Sequence, residues 1–361
     1  MKFCKQALGI DVSKDTLAVD LLALPAPAER FKVRGCRKFA NTRAGYRDLF
    51  AWLTKKTEAD VALRVVLEAT GSYHENLAYY LYEQGCSLSI LLGNKVAAYA
   101  RSLNQPSKTD PSDARLLARL GLERSLRDWQ PASDVMRQLR YLTRERQALM
   151  QDRLRHSNQI HALRHGHRPP AKIIRRHEVS VNLIERQIKA IESEMAALRR
   201  QDPALDRAMK RLQTIPQVGP LTAATVLAET AFFELFDSRS QVVKYAGMDI
   251  VEKQSGSSLQ STGRLSKRGN RRLRAALHMA AVGTIRTTGP LAELYARVYD
   301  RTRCKMKAVV AVQRKLLTLM YTLHKTEQDY DVAVHRRRSK KIGEPGGSPT
   351  VTRLAEAGRS S

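Results

Sequence analysis

The sequence predicts an α/β domain at the N-terminus, then a long helical segment, then a mainly α-helical domain. Three observations predict it. Residues 1–128 alternate short apolar runs with stretches of helical periodicity. Residues 133–201 lose those runs and carry Val181, Ile184, Ile188, Ile191, Met195 and Leu198 at the spacing of a coiled-coil seam. Residues 205–330 stay helical, apart from a Gly/Ser-rich interruption at 252–269.

Each element follows from its residues. Ala7 to Ile10 reads as a buried strand ending at Asp11, and Thr16 to Leu22 as a second strand joined by a turn at Val12 to Asp15. Phe31 to Phe39 is a weaker third strand. Val61 to Leu67 is strongly apolar and ends at Glu68, and Ser87 to Leu92 is stopped by Gly93-Asn94. Helical patterns fall at 43–56, 74–84 and 112–124, so the sheet is expected to be covered on both faces. In the next segment Leu139, Leu142, Leu149, Ile160 and Leu163 form a stripe that Arg146 and Arg153 interrupt. Gly166-His167-Arg168-Pro169-Pro170 then breaks the helix. An antiparallel hairpin and a dimerising arm both fit, and the seam is short enough that it is expected to pack on something. The tail 335–361, which opens His-Arg-Arg-Arg-Ser-Lys-Lys, is expected to be disordered.

Composition narrows the function. The 361 residues hold 63 Lys+Arg against 35 Asp+Glu, a net charge of +28. Such an excess suits a polyanion partner, because each cation at a phosphate releases condensed counterions. With 43% hydrophobic residues the chain is globular in composition. It has no apolar run long enough for a membrane span and no signal peptide is expected. The four cysteines form no CxxC, so neither a disulfide framework nor a cysteine zinc site is indicated and a reducing cytoplasm is expected. Gly263 to Gly269 lacks the GK[ST] ending of a phosphate-binding loop. His161, His165 and His167 read as a basic helix end, not a metal cluster.

Asp11 and Glu68 each end an apolar strand, and strand ends in such sheets meet at a shared crevice. Asp110 and Asp113 stand three apart at a helix start, with Pro111 fitting the first turn. Crowded carboxylates stay ionised beside a divalent cation, and Mg²⁺ takes oxygen ligands while keeping waters that a phosphate replaces. The plain alternative is that the aspartates only cap a helix and that Asp11 and Glu68 are a turn residue and a solvated strand end.

Gly9-Ile10-Asp11-Val12-Ser13-Lys14, Leu67-Glu68-Ala69-Thr70-Gly71-Ser72-Tyr73-His74 and Lys108-Thr109-Asp110-Pro111-Ser112-Asp113-Ala114, in that order, resemble the DEDD transposases of the insertion-sequence-110 family, relatives of the Piv DNA invertases. The resemblance implies a RuvC-like N-terminal domain of the RNase H superfamily. It implies that Asp11, Glu68, Asp110 and Asp113 are the four acidic residues of that family, holding Mg²⁺.

The C-terminal half carries its own signals. Leu212 to Ala224, with Ile215-Pro216-Gln217-Val218-Gly219 at its bend, looks like a helix-hairpin-helix that would aim a helix N-terminus at a DNA phosphate near Gly219, although Gln217 stands where Gly is usual. A purely structural helix turn fits as well. Beyond Tyr245-Ala246-Gly247-Met248 come Lys253-Gln254-Ser255-Gly256-Ser257-Ser258 and then Gly263 to Arg274, which holds six basic residues and no acid. Arg264, Lys267, Arg268, Arg271, Arg272 and Arg274 are thus candidate phosphate contacts. A serine beside glycine in such a loop could attack a phosphodiester, or serve only as linker. The family resemblance places its catalytic serine on Ser255, with Ser257, Ser258 and Ser261 as weaker substitutes. It extends to the GR-x-S-K-x-GN-x-x-LR stretch and departs at Ile250, where the family often has Pro.

The resulting expectation is a DNA transposase, or site-specific recombinase, that cuts and rejoins DNA through a covalent serine–DNA intermediate. Its expected parts are a RuvC-like domain (1–128), a coiled-coil segment (133–201) that helps build a dimer or tetramer, and a transposase domain (205–330). The resemblance further implies donor and target DNA and a structured non-coding bridge RNA as partners, in a bacterial cytoplasm at the nucleoid. A metal-dependent junction nuclease and a non-catalytic nucleic-acid-binding protein are the alternatives.

Overall fold

The computed structural model describes residues 3–25, 30–69, 71–103, 110–234, 236–251, 254–255, 259–260 and 264–336. The chain forms two compact units, Met1–Pro131 and Ala132–Ser361.

The first unit is built on one five-stranded sheet of order β3-β2-β1-β4-β5. Strands β1 (Phe3–Val12) and β2 (Thr16–Pro25) form an antiparallel hairpin, and β3 (Lys32–Ala40) adds to β2 antiparallel. The Ser13 hydroxyl bonds the Thr16 carbonyl and closes the tight turn. Strands β4 (Leu63–Glu68) and β5 (Ser87–Leu91) run parallel to β1, so each needs a helical crossover. Helix α1 (Arg43–Lys56) is capped by the Thr42 side chain, which accepts from the Gly45 amide. It and α2 (Glu75–Glu83) cover one face, where Leu8, Ile10, Val12, Leu17, Val19, Leu21, Val65 and Leu67 form a core.

Period-two alternation puts Ala7, Gly9, Arg64 and Val66 on the opposite face. Helices α3 (Gly93–Ser102) and α4 (Asp110–Glu123) cover it. Strand β5 stops before Gly93-Asn94 as expected, and α3, which no helical pattern in the sequence predicted, begins there. A Cβ on Gly93 would stand 2.6 Å from Glu68 Oε1, so this glycine answers a close approach, not a chain reversal.

The second unit opens with α5 (Asp134–Arg164) and α6 (Ala171–Gln201). Arg146–Glu192, Arg153–Glu185 and Arg164–Glu178 ion pairs cross between them. As one partner's number rises the other's falls, so the two helices are antiparallel. Both arginines that interrupt the apolar stripe of α5, Arg146 and Arg153, thus make ion pairs across to α6. The far end of the pair does not stand alone. Leu139, Ile191, Met195 and Leu198 join a core with α7 (Pro203–Gln213), α8 (Pro220–Thr230), α10 (Arg271–Ile285) and α12 (Lys305–Thr326).

A short helix α9 (Arg239–Tyr245) leads into β6 (Ile250–Val251), β7 (Gln254–Ser255), β8 (Leu259–Gln260) and β9 (Arg264–Leu265). Helix α11 (Pro290–Thr302) packs beside α12. His335, with which the expected disordered tail begins, is instead buried and bonded through Nδ1 to the Tyr330 hydroxyl at 2.8 Å. Burial holds its imidazole down at about 4. The remainder of that segment, 337–361, lies outside the described residues. No helix among the described residues is long and apolar enough to cross a membrane.

Candidate active site

In the first unit the carboxyl ends of β1 and β4 lie side by side. Their last pair is Ile10 with Leu67, and Asp11 and Glu68 follow one residue beyond it. Both share the face of Gly9 and Val66, the face that α4 covers. The contact is close: a Cβ on Gly9 would sit 1.9 Å from the Ala114 carbonyl oxygen. At the other end of the helix, a Cβ on Gly121 would meet Val66 at 2.8 Å and Ala7 at 3.1 Å. So α4 runs back along β1, with its first turn toward the strand ends. That turn holds Asp113 and begins at Asp110, whose side chain lies outside the described residues. The half-buried Asp11, Glu68 and Asp113 therefore belong to one edge of the sheet.

A residue that sequence reasoning missed pins α4 there. Asp20 on β2 pairs with Gly9 and is 1% exposed. Its Oδ2 accepts from Arg115 Nε at 2.8 Å, two residues after Asp113, while Oδ1 is buried without a hydrogen-bond partner. Burial pushes the Asp20 carboxyl up, and Arg115 opposes the shift. An acid in the apolar Ala18 to Leu22 run was the available signal.

The donor chemistry of Asp11, Glu68, Asp110 and Asp113 is all oxygen, which fits a hard divalent cation. Among the described residues, however, no three His, Cys, Asp or Glu side chains are gathered closely enough to hold a metal ion. His161 and His165, whose rings are 4.5 Å apart, are no exception.

In the second unit Ser255 ends β7 and pairs with Leu259 of β8. The pairing of Val251 with Arg264 closes the stem of this hairpin. The Ser255 side chain, and Ser257, Ser258 and Ser261 entirely, lie outside the described residues. Ser266 anchors the stem, bonding Asp249 through its hydroxyl and its amide.

The basic stretch divides into two roles. Arg264, Lys267, Arg268, Arg271 and Arg272 are exposed. Gly269 passes over Tyr245-Ala246-Gly247 so tightly that a Cβ would fall 2.4 Å from the Gly247 amide. Gly247 itself has φ +65°, which favours glycine. Asn270 caps α10 by accepting from the Arg272 and Leu273 amides. Arg274 donates Nη1 to the Ala246 carbonyl at 2.7 Å and the Gly269 carbonyl at 3.2 Å, clamping the crossing.

Beneath the crossing lies Glu229, 2% exposed. Arg144 of α5 holds it with two bonds, at 2.7 Å and 3.0 Å, and Asn270 donates to it at 2.6 Å. Burial alone would raise this carboxyl, but the bonds from Arg144 and Asn270 hold it below its usual range. Sequence reasoning missed this junction because its members are 85 and 41 residues apart.

Gly219 precedes Pro220 at the start of α8, with no side-chain cap and open space where a Cβ would stand. Gln217 takes φ +67° in the bend before it.

Two family profiles match the chain. One, described as a transposase of the DEDD IS110 type, covers residues 8–169. The other, described as the transposase IS116/IS110/IS902 family, covers residues 209–296. The chain belongs to the IS110 family of transposases. The first profile spans Asp11, Glu68, Asp110 and Asp113, and the second spans the hairpin and the basic stretch. Over 333 residues this family member is 27% identical to the pilin gene-inverting protein of Moraxella bovis, covering 92% of this chain and 99% of the relative. The protein of that name from Moraxella lacunata matches to the same extent. An insertion element IS110 protein of 43.6 kDa from Streptomyces coelicolor is 26% identical over 148 residues, 40% of this chain and 34% of that one. Among solved structures, Thermus thermophilus RuvC with a Holliday junction superposes with a TM-score of 0.25 at 10% identity, over 31% of this chain and 90% of that one. An Aquifex aeolicus Ppx/GppA family member gives 0.21 at 9% identity, over 95% and 99%. At those scores neither superposition decides a fold or an activity.

Proposed function

We propose that this IS110-family transposase is a DNA recombinase that cuts and rejoins DNA through a covalent bond between Ser255 and a DNA phosphate. The observation that carries the proposal is the strand pairing that sets Ser255 in a hairpin whose closing strand bears Arg264 and leads into the exposed Lys267, Arg268, Arg271 and Arg272. Ser255 Oγ attacks phosphorus and gives up its proton, and the leaving strand departs as a hydroxyl. The hydroxyl of a second strand then attacks the same phosphorus, and Ser255 recovers its proton. Each step exchanges one P–O bond for another, so no nucleotide triphosphate is consumed. The guanidinium groups offset the charge that builds on the phosphate oxygens.

Asp11, Glu68, Asp110 and Asp113, the acids of a RuvC-like domain (1–128), are proposed to hold Mg²⁺. The chemistry Mg²⁺ supplies when bound is polarisation of a phosphoryl oxygen. Asp20 and Arg115 position the helix start that carries two of these acids. The α5–α6 segment (133–201) is proposed as a coiled-coil arm that builds a dimer or tetramer. The α7–α8 turn in the transposase domain (205–330) acts as a helix-hairpin-helix that meets phosphate at Gly219. Arg274 contributes by shaping the loop. A structured bridge RNA that reads donor and target DNA fits a chain with +28 charge. The pilin gene-inverting relatives support a reaction on DNA.

Purified protein incubated with Mg²⁺, guide RNA and both DNA partners tests the proposal. Native chain yields joined DNA, and Ser255→Ala and Asp11→Asn each lose more than about 10²-fold of it. Cleavage that survives Ser255→Ala would make the enzyme a hydrolytic nuclease.

A further inference from the structure

At the foot of the Ser255 hairpin, within the second unit, opens a groove of about 1110 Å³. Its floor is apolar: Met248, Ile250 and Leu265 from the hairpin stem, Leu294 and Val298 from α11, and Met306 and Val310 from α12. Its rim is basic, with Arg264, Lys267, Arg301, Lys307, Arg314 and Lys315, and no acid lines it. Along α12 the lining runs from Met306 to Thr318, roughly 18 Å of helix at 1.5 Å per residue. Two floor residues are strongly exposed, Ile250 at 55% and Met306 at 59%.

An apolar floor under a wholly basic rim does not match the outside of a DNA duplex. A duplex presents phosphate and sugar and keeps its base faces stacked. A protein helix would have to be acidic along both edges, and this chain's own C-terminal tail is itself basic. Single-stranded DNA fits both parts, since its phosphates meet the rim while its unstacked base faces lie on aliphatic side chains and guanidinium planes.

We propose that the α11–α12 groove binds single-stranded DNA, taking the nucleotides that unpair beside the phosphate presented to Ser255. This rests on the DNA-recombinase reading and adds to it a seat for melted bases next to the hairpin stem. It gives a reason for exposed Ile250 and Met306 to stand beside the most basic stretch of the chain.

The experiment measures binding of the full-length protein to a single-stranded DNA 12-mer, to the same sequence as duplex, and to its RNA equivalent. It compares the native chain with Met306→Ala, Val310→Gln and the pair Arg301→Gln with Arg314→Gln. None of these residues belongs to the acidic edge or the serine hairpin, and an exposed Met306 can be shortened without disturbing the core. The floor variants weaken single-stranded DNA about 5- to 10-fold and leave duplex affinity and salt slope unchanged. The rim pair lowers the salt slope for single-stranded DNA by roughly 1.4 units. Floor variants that leave single-stranded binding intact, or weaken duplex equally, overturn the groove while the recombinase reading stands. A native preference for the RNA strand that Met306→Ala abolishes overturns the choice of DNA. Failure to bind any of the three nucleic acids overturns both readings.

Discussion

Glu229 is a single carboxylate at the junction of three segments: α8 that carries it, α5 through Arg144, and the basic stretch through Asn270. Replacing it with Gln leaves Arg144 facing a neutral partner. With Arg144 40% exposed, the expected loss is about 1–3 kcal/mol, below the cost of breaking a fully buried pair. Urea titration of Glu229→Gln checks this. Because its carboxyl is depressed in the folded chain, the stabilisation is present above its ordinary value of 4.5 and disappears as pH falls below it. The gap between native and Glu229→Gln midpoints is therefore expected to close on acidification. His335 acts in the same direction at higher pH. Its folded value of about 4 lies below the ordinary 6.5, so the chain loses stability as pH falls through that interval. His335→Gln should flatten that part of the stability profile.

Helix α4 is held to the sheet by two glycines and one ion pair, and it carries two of the four acids. Gly9→Ala would drive a methyl into the Ala114 carbonyl, at a cost of about 1–3 kcal/mol or a displacement of the helix start. Activity should fall further than stability does, and paired denaturation and DNA-joining assays would show it. At this scale much was legible in the sequence. The apolar runs that end at Asp11 and Glu68 are strands, and the break at Gly166 to Pro170 separates two long helices. What was not legible shares one physical reason, that the decisive partner is remote in sequence. Gly93 stops β5 as expected, but its close approach to Glu68 was not legible, because that carboxylate comes from another strand. Arg274 also clamps the Ala246 carbonyl, 28 residues away, a role that its place in the basic stretch does not announce. Glu229 and Arg144 pair across 85 residues, with no local pattern to mark either. Local periodicity reports which face is buried and says little about which distant polar group waits there.

At the scale of the molecule, a charge of +28 must be spread over DNA-facing surface for the proposed function to hold. Neutralising Lys267 and Arg271 together should lower the slope of log K against log salt by roughly 1.8 for duplex DNA. Arg274→Gln should instead reduce folding stability with a smaller change in slope, since its Nη1 is engaged by backbone carbonyls. A filter-binding series across salt concentrations separates the two. The proposed chemistry turns on one serine in the hairpin taking the DNA. Mass spectrometry of the trypsin-digested, nuclease-trimmed reaction measures it directly. The peptide running from Gln254 to Arg264 is expected to gain the mass of a nucleotide phosphate, with fragment ions placing it on Ser255. DNA cut to completion with that peptide unmodified, or modified at Ser257, Ser258 or Ser261, would contradict it.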